Sequence, residues 1–228
     1  MIAIDKNIAA VNARIQRSCD ENSRDRNTVA LLAVSKKQPV AAIRQAVAAG
    51  VADFGENYLQ EAEAKITELR EMSLIWHYIG AIQSNKTRAI AKLFDWVHSV
   101  DRLSIAQRLN DQRPESMPPL NICLQINIDQ ESSKAGFSQM QIPAVLAAVS
   151  ALPRLRLRGL MAIPAADAGP DLRRASFNRM HQLFDGMRRE YPQVDTLSMG
   201  MSADLELAIA EGATLLRVGT DIFGPRSS

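Results

Sequence analysis

With 228 residues, 46% hydrophobic and 23% charged, the chain can bury a substantial core and still carry a polar surface. Its formal net charge is +2 and no segment concentrates Lys and Arg, which excludes a nucleic-acid footprint. Two distant cysteines, Cys19 and Cys123, make neither a disulfide framework nor a metal site, and no stretch approaches the roughly 18 apolar residues of a membrane span. Asp5, Lys6 and Asn7 stand where a signal peptide needs its apolar core, so the expected location is the reducing cytoplasm.

Ile4, Ile8, Val11 and Ile15 recur at helical spacing, so the chain opens on an amphipathic helix. Val29 to Val34 is a short apolar run ending at Ser35-Lys36, as expected of a strand buried on both faces. Pro39 suits the first turn of the following helix, which Gly50 stops. Further strands are predicted near Ala52–Gly55, Ile75–Gly80, Trp96–Val100, Leu120–Ile128, Leu155–Ile163, Thr196–Met199 and Leu215–Gly219, eight in all. Arg113 to Pro119 reads as a Pro-rich loop. Arg154, Arg156 and Arg158 alternate with leucines as in a strand with one solvated edge, and Phe177, Met180, Phe184 and Met187 form one core-facing helical stripe. Strands alternating with helices imply parallel βαβ units. Eight units imply a closed (β/α)8 barrel spanning residues 1–228 as one domain, with an open doubly wound sheet as the alternative. Only nine residues follow Gly219, too few for a full eighth helix, so the N-terminal helix is expected to fill that gap in the outer ring.

Such barrels work at the C-terminal ends of their strands, and often bind phosphate with the loops after strands seven and eight. Here those loops are Ser198-Met199-Gly200-Met201-Ser202 and Arg217-Val218-Gly219-Thr220. Gly200 and Gly219 allow close backbone approach to an anion. Ser202 reads as the N-cap of a helix over Ala203–Glu211, an end that favours anions, although Asp204 could compete for it. Lys36 is a candidate imine-forming amine, since a lysine in a partly desolvated mouth loses proton affinity. Physical reasoning does not separate it from Lys37.

Ala33-Val34-Ser35-Lys36, Phe54-Gly55-Glu56-Asn57-Tyr58, His77-Tyr78-Ile79-Gly80 with Gln83-Ser84-Asn85-Lys86, Ser198 to Ser202 with Asp204, and Arg217 to Thr220 together resemble the pyridoxal phosphate homeostasis proteins of the YggS/PROSC type. Those proteins are similar to the barrel domain of alanine racemase, the fold-type III of pyridoxal 5′-phosphate (PLP) proteins, without its C-terminal β domain. The resemblance implies PLP held as a Schiff base on Lys36. It implies a phosphate held by Ser202, Gly219, Thr220 and the Met201 backbone, with Arg217 facing the pyridine nitrogen. Asn57, His77 and Met161 would line the remaining edges, and Ser198 is counted with the cofactor-binding residues. The chain departs from the family pattern at Ala81-Ile82 and at Arg226-Ser227-Ser228, which lacks the aromatic residue common nearby.

Three readings follow: a PLP carrier without amino-acid turnover, a PLP-dependent racemase, and a barrel enzyme for another phosphorylated metabolite. An arginine at the ring nitrogen donates only, leaves that nitrogen unprotonated and so stabilises a carbanion poorly. A racemase also needs a second base on the opposite face, by the resemblance a tyrosine from the missing domain of a partner subunit. The expected function is therefore PLP homeostasis by a monomer, with no catalytic or metal-binding residue. PLP and apo PLP enzymes are the expected partners, and Lys134 is a lysine that could receive the cofactor in passing.

Overall fold

In the computed structural model, which describes residues 3–131, 134–165 and 168–225, the eight apolar runs become eight parallel strands. They are β1 (Ala30–Val34), β2 (Asp53–Glu56), β3 (Ile75–Tyr78), β4 (Trp96–Val100), β5 (Leu120–Gln125), β6 (Leu155–Met161), β7 (Thr196–Ser198) and β8 (Leu215–Val218). Neighbours in sequence pair in order, and β1 pairs β8 with Leu32 opposite Arg217, which closes the barrel and excludes the open sheet. Expected strands three, five and six ran too long. Their last residues build the mouth: Ile126 donates to Met161 O and bridges Phe137, and Ile163 is exposed. The expected departures at Arg226-Ser227-Ser228 lie outside the described residues.

The outer ring comprises α1 (Ile4–Glu21), α2 (Val40–Ala48), α3 (Leu59–Glu68), α4 (Thr87–Leu93), α5 (Leu103–Gln112), α6 (Ile142–Ser150), α7 (Pro170–Glu190), α8 (Leu205–Ala210) and α9 (Thr220–Phe223). Among the described residues β8 is followed by the single turn of α9, and α1 packs against α8, α9 and α2, in the place of a full eighth helix. Its Ile4, Ile8, Val11, Ile15 and Cys19 are buried. Pro39 is the N-cap of α2 rather than its first residue, and Gly50 follows the helix with φ 90°. The stripe of α7 lies in the core. On β6, Arg156 is exposed, while Arg158 stacks 4.5 Å from the centre of the Trp96 ring and pairs with Asp195. The Arg113–Pro119 segment is a loop anchored by Arg113, which is buried and donates to the carbonyls of Ala91, Phe94 and Pro118. Among the described residues no helix is long and apolar enough to cross a membrane.

Candidate active-site cavity at the barrel mouth

A cavity of about 290 Å³ opens where the strands end. Parallel strands deliver all their C-terminal loops to one face, so residues far apart in sequence meet there. Lys36, Asn57, Met161, Met201, Ser202, Arg217, Gly219 and Thr220 all line it, with Val34, Gln38, Ile79, Ile163, Ala203 and Gly224. Eight of the ten expected site residues thus line one cavity.

Lys36 is half-buried and lies two residues past the end of β1. Both of its neighbours are pinned. Ser35 is fully buried and donates from Oγ to Glu56 Oε1 at 2.6 Å. Lys65 on α3 donates to Ser35 O and Glu56 Oε1, each at 2.7 Å, and to Glu61 at 2.5 Å. Lys37 adopts φ 60°, and its N–H donates to Glu61. Lys37 is exposed and outside the cavity, whereas Lys36 lines it. Burial raises the proton affinity of the Glu56 carboxyl, and Lys65 opposes that shift. The sequence reading took Glu56 as part of a motif and missed Lys65, whose only signal is its i,i+4 spacing from Glu61.

The β7 and β8 loops form the opposite wall. Gly200 has φ 90°, and a Cβ there would lie 2.5 Å from Ala208 Cβ, so only glycine makes this turn. The helix that follows is shorter than expected, Leu205–Ala210, and its N-cap is Asp204 rather than Ser202. Asp204 Oδ1 also accepts from Met201 N at 2.6 Å. The Met201 amide expected for an anion is therefore already bound by a carboxylate, while at the helix end itself Asp204 makes no side-chain bond. Ser202 instead faces the cavity between the two loops, with Oγ 3.4 Å from Asp221 N. A Cβ at Gly219 would press on Val34 O at 3.2 Å, so the absence of a side chain keeps this wall open.

Arg217 is buried, yet its partners are neutral oxygens: Nη1 donates to Ser198 O and Oγ, each at 2.7 Å, and Nη2 to Ala162 O at 3.0 Å. Burial lowers its pKa to about 10, with Asp204 opposing. Two expectations are corrected here. Ser198 does not line the cavity, because its hydroxyl lies beneath Arg217 and holds it. His77 does not line it either: its ring points toward the N-terminal end of the barrel, with Nε2 2.9 Å from Asp53 Oδ1 and Nδ1 2.9 Å from His98 Nε2. The sequence analysis does not single out His98, which with Ser99 makes two adjacent polar residues in β4. Lys134 sits on the same face, with Nζ bonded to Ile163 O, Pro164 O and Glu131.

A closed barrel with α1 standing in for its eighth helix and a lysine at the end of β1 defines a class, the barrels built like the N-terminal domain of alanine racemase. The family model described as alanine racemase, N-terminal domain, matches residues 3–227. The pyridoxal phosphate homeostasis protein of Pseudomonas aeruginosa is 56% identical over 226 residues, covering 99% of this chain and 97% of that one. The structure of PipY of Synechococcus elongatus with PLP bound is 40% identical with a TM-score of 0.80, covering 92% of this chain and all of that one (100%). Alanine racemase of Corynebacterium glutamicum shares the fold at 17% identity, with a TM-score of 0.70 over 98% of this chain but 60% of its own. The chain belongs to the alanine racemase N-terminal domain family, with the pyridoxal phosphate homeostasis proteins as its near relatives.

Proposed function

We propose that this barrel binds PLP in the mouth cavity, through Lys36, and serves intracellular PLP homeostasis as a carrier. The observation that carries this reading is the composition of one cavity lining: an amine (Lys36), two hydroxyls (Ser202 and Thr220) and a buried guanidinium (Arg217) around about 290 Å³. PLP supplies an aldehyde carbon that amines take up reversibly, beside a phosphate and a ring nitrogen.

The residues present fit that group. Lys36 provides the amine. Ser202 and Thr220 provide donors for phosphate oxygens, and Gly219 admits close backbone approach. Arg217, a buried cation bonded among the described residues to neutral oxygens, presents a guanidinium to an acceptor in the cavity. Asn57, Met161 and Ile79 shape the sides.

The racemase reading is disfavoured by the same lining. Racemisation needs an acid–base pair on opposite faces. Among the described residues, Lys36 and Arg217 are the titratable side chains lining the cavity, and no tyrosine joins them. The Tyr78 hydroxyl donates to Ala81 O instead. We read the chain as a monomer acting in the cytoplasm, where its two buried free cysteines stay reduced, and passing PLP to apo PLP enzymes.

Borohydride treatment of PLP-loaded protein should fix the cofactor to a peptide containing Lys36, and Lys36→Ala should abolish it. Mixing loaded protein with an apo PLP enzyme should restore that enzyme's activity, while amino-acid racemisation stays at background. Fixation at another lysine would overturn the site, and racemisation lost in Lys36→Ala would overturn the carrier role.

A further inference from the structure

Five side chains join the mouth cavity to the opposite end of the barrel in one line of hydrogen bonds. Arg217 Nη1 is 2.7 Å from Ser198 Oγ, and Ser198 Oγ is 2.9 Å from His98 Nδ1. His98 Nε2 is 2.9 Å from His77 Nδ1, and His77 Nε2 is 2.9 Å from Asp53 Oδ1. The five come from β8, β7, β4, β3 and β2. The step from β4 to β7 skips two strands of the closed order, so the line crosses the barrel interior. Arg217 reaches the cavity; Asp53, the first residue of β2, lines a separate polar hollow at the strands' N-terminal end.

The charges at the two ends fix every proton between them. A guanidinium can only donate, and an ionised carboxylate can only accept. Ser198 Oγ accepts from Arg217, so its own hydrogen is available to His98 Nδ1. His98 then carries its proton on Nε2 and donates to His77 Nδ1, and His77 carries its proton on Nε2 and donates to Asp53. Reversing the middle would leave the His77 Nε2 lone pair facing the Asp53 carboxylate. Burial favours the neutral form of both histidines, as this arrangement requires. His77 is further held by stacking on Trp96, with ring centroids 5.4 Å apart and planes 12° apart.

We propose that Asp53, His77, His98 and Ser198 are positioning residues for Arg217, holding it as a fixed donor at the floor of the mouth cavity. The electronic state of a ring bound there is thereby set from the far end of the barrel. This rests on the reading of the cavity as a PLP site. The line is one-directional, so removing its terminal carboxylate frees each histidine to change tautomer and Ser198 to turn its hydroxyl away.

Asp53→Asn tests this, because the Asp53 side chain is 38% exposed and outside the cavity, so the fold should survive the change. Nitrogen NMR of the unliganded protein should show both histidines neutral with the proton on Nε2, and a mixture of tautomers in Asp53→Asn. The PLP-loaded variant should have a displaced absorption maximum and about tenfold weaker PLP binding, the size of one charge-assisted hydrogen bond. Ser198→Ala, one atom smaller, cuts the next link and should move both readouts the same way. Unchanged maximum and affinity in both variants would overturn the proposal. Histidines protonated on Nδ1 in the unmodified protein would overturn the line itself, whether or not PLP binds. A protein with the expected tautomers that takes up no PLP would instead overturn the site reading, and this role with it.

Discussion

At the scale of single residues, the mouth is built from side chains whose neighbours are immobilised. Ser202 and Thr220 approach the cavity from different loops. If they hold a phosphate, each contributes a charge-assisted hydrogen bond, so Ser202→Ala and Thr220→Val should each weaken PLP binding by about tenfold. Pyridoxal, which lacks the phosphate, should bind all three proteins alike; equilibrium titration with both ligands measures the difference. Lys65 poses a separate question of stability. It is buried beside the fully buried Glu56, so Lys65→Met leaves a carboxylate without its cation. A loss of about 3 kcal/mol is expected in urea unfolding, with the Lys36 loop loosened as well.

At the scale of elements, α1 does more than cover the ring. Ile15 is fully buried, and Ile15→Ala should lower stability by about 3 kcal/mol through lost contacts and a residual cavity. Arg14, one residue earlier, pairs with Glu206 and Asp221 and donates to Ser202 O at 3.1 Å. It thus ties the first helix to both loops of the proposed phosphate end. Arg14→Met should leave the fold intact and weaken PLP binding by about threefold, within the range of a partly exposed ion pair. Titration of Arg14→Met beside Ile15→Ala separates the two roles, because the second should act on stability first.

At the scale of the whole molecule, the interior histidines make stability depend on pH. His77 and His98 both have proton affinities lowered by burial. The groups facing them act in both directions: Asp53 and Asp95 favour protonation of His77, while His77 and Arg217 oppose it at His98. A histidine whose folded pKa is depressed contributes stability that is complete above its unfolded value, about 6.5, and is lost as pH falls below it. The unfolding free energy from urea titration should therefore be flat from pH 8 to 7 and fall toward pH 5, by up to about 1.4 kcal/mol per pH unit for each histidine. His98→Gln should reduce that slope.

The strands and their order were legible in the sequence because a parallel sheet, covered on both faces, demands short apolar runs separated by helical patterns. The mouth was legible for a related reason. Once the strands are parallel, every residue just past a strand end lies on the same face, which gathers Lys36, Asn57, Ser202, Gly219 and Thr220. Other features depended on contacts that no local pattern carries. Lys36 and Lys37 are equivalent until the fold leaves Lys37 exposed and places Lys36 in the cavity lining. Ser202 and Asp204 are both good caps in sequence, and only the fold shows that the helix starts after Asp204, whose carboxylate turns back to the Met201 amide instead of capping the helix. His77 sits in a strand that ends at the mouth, but strand periodicity gives the side of the sheet and not the end of the barrel its ring reaches. Its partner His98 is bonded to Ser198 a hundred residues away (|i−j|=100), a meeting that exists only because the barrel closes.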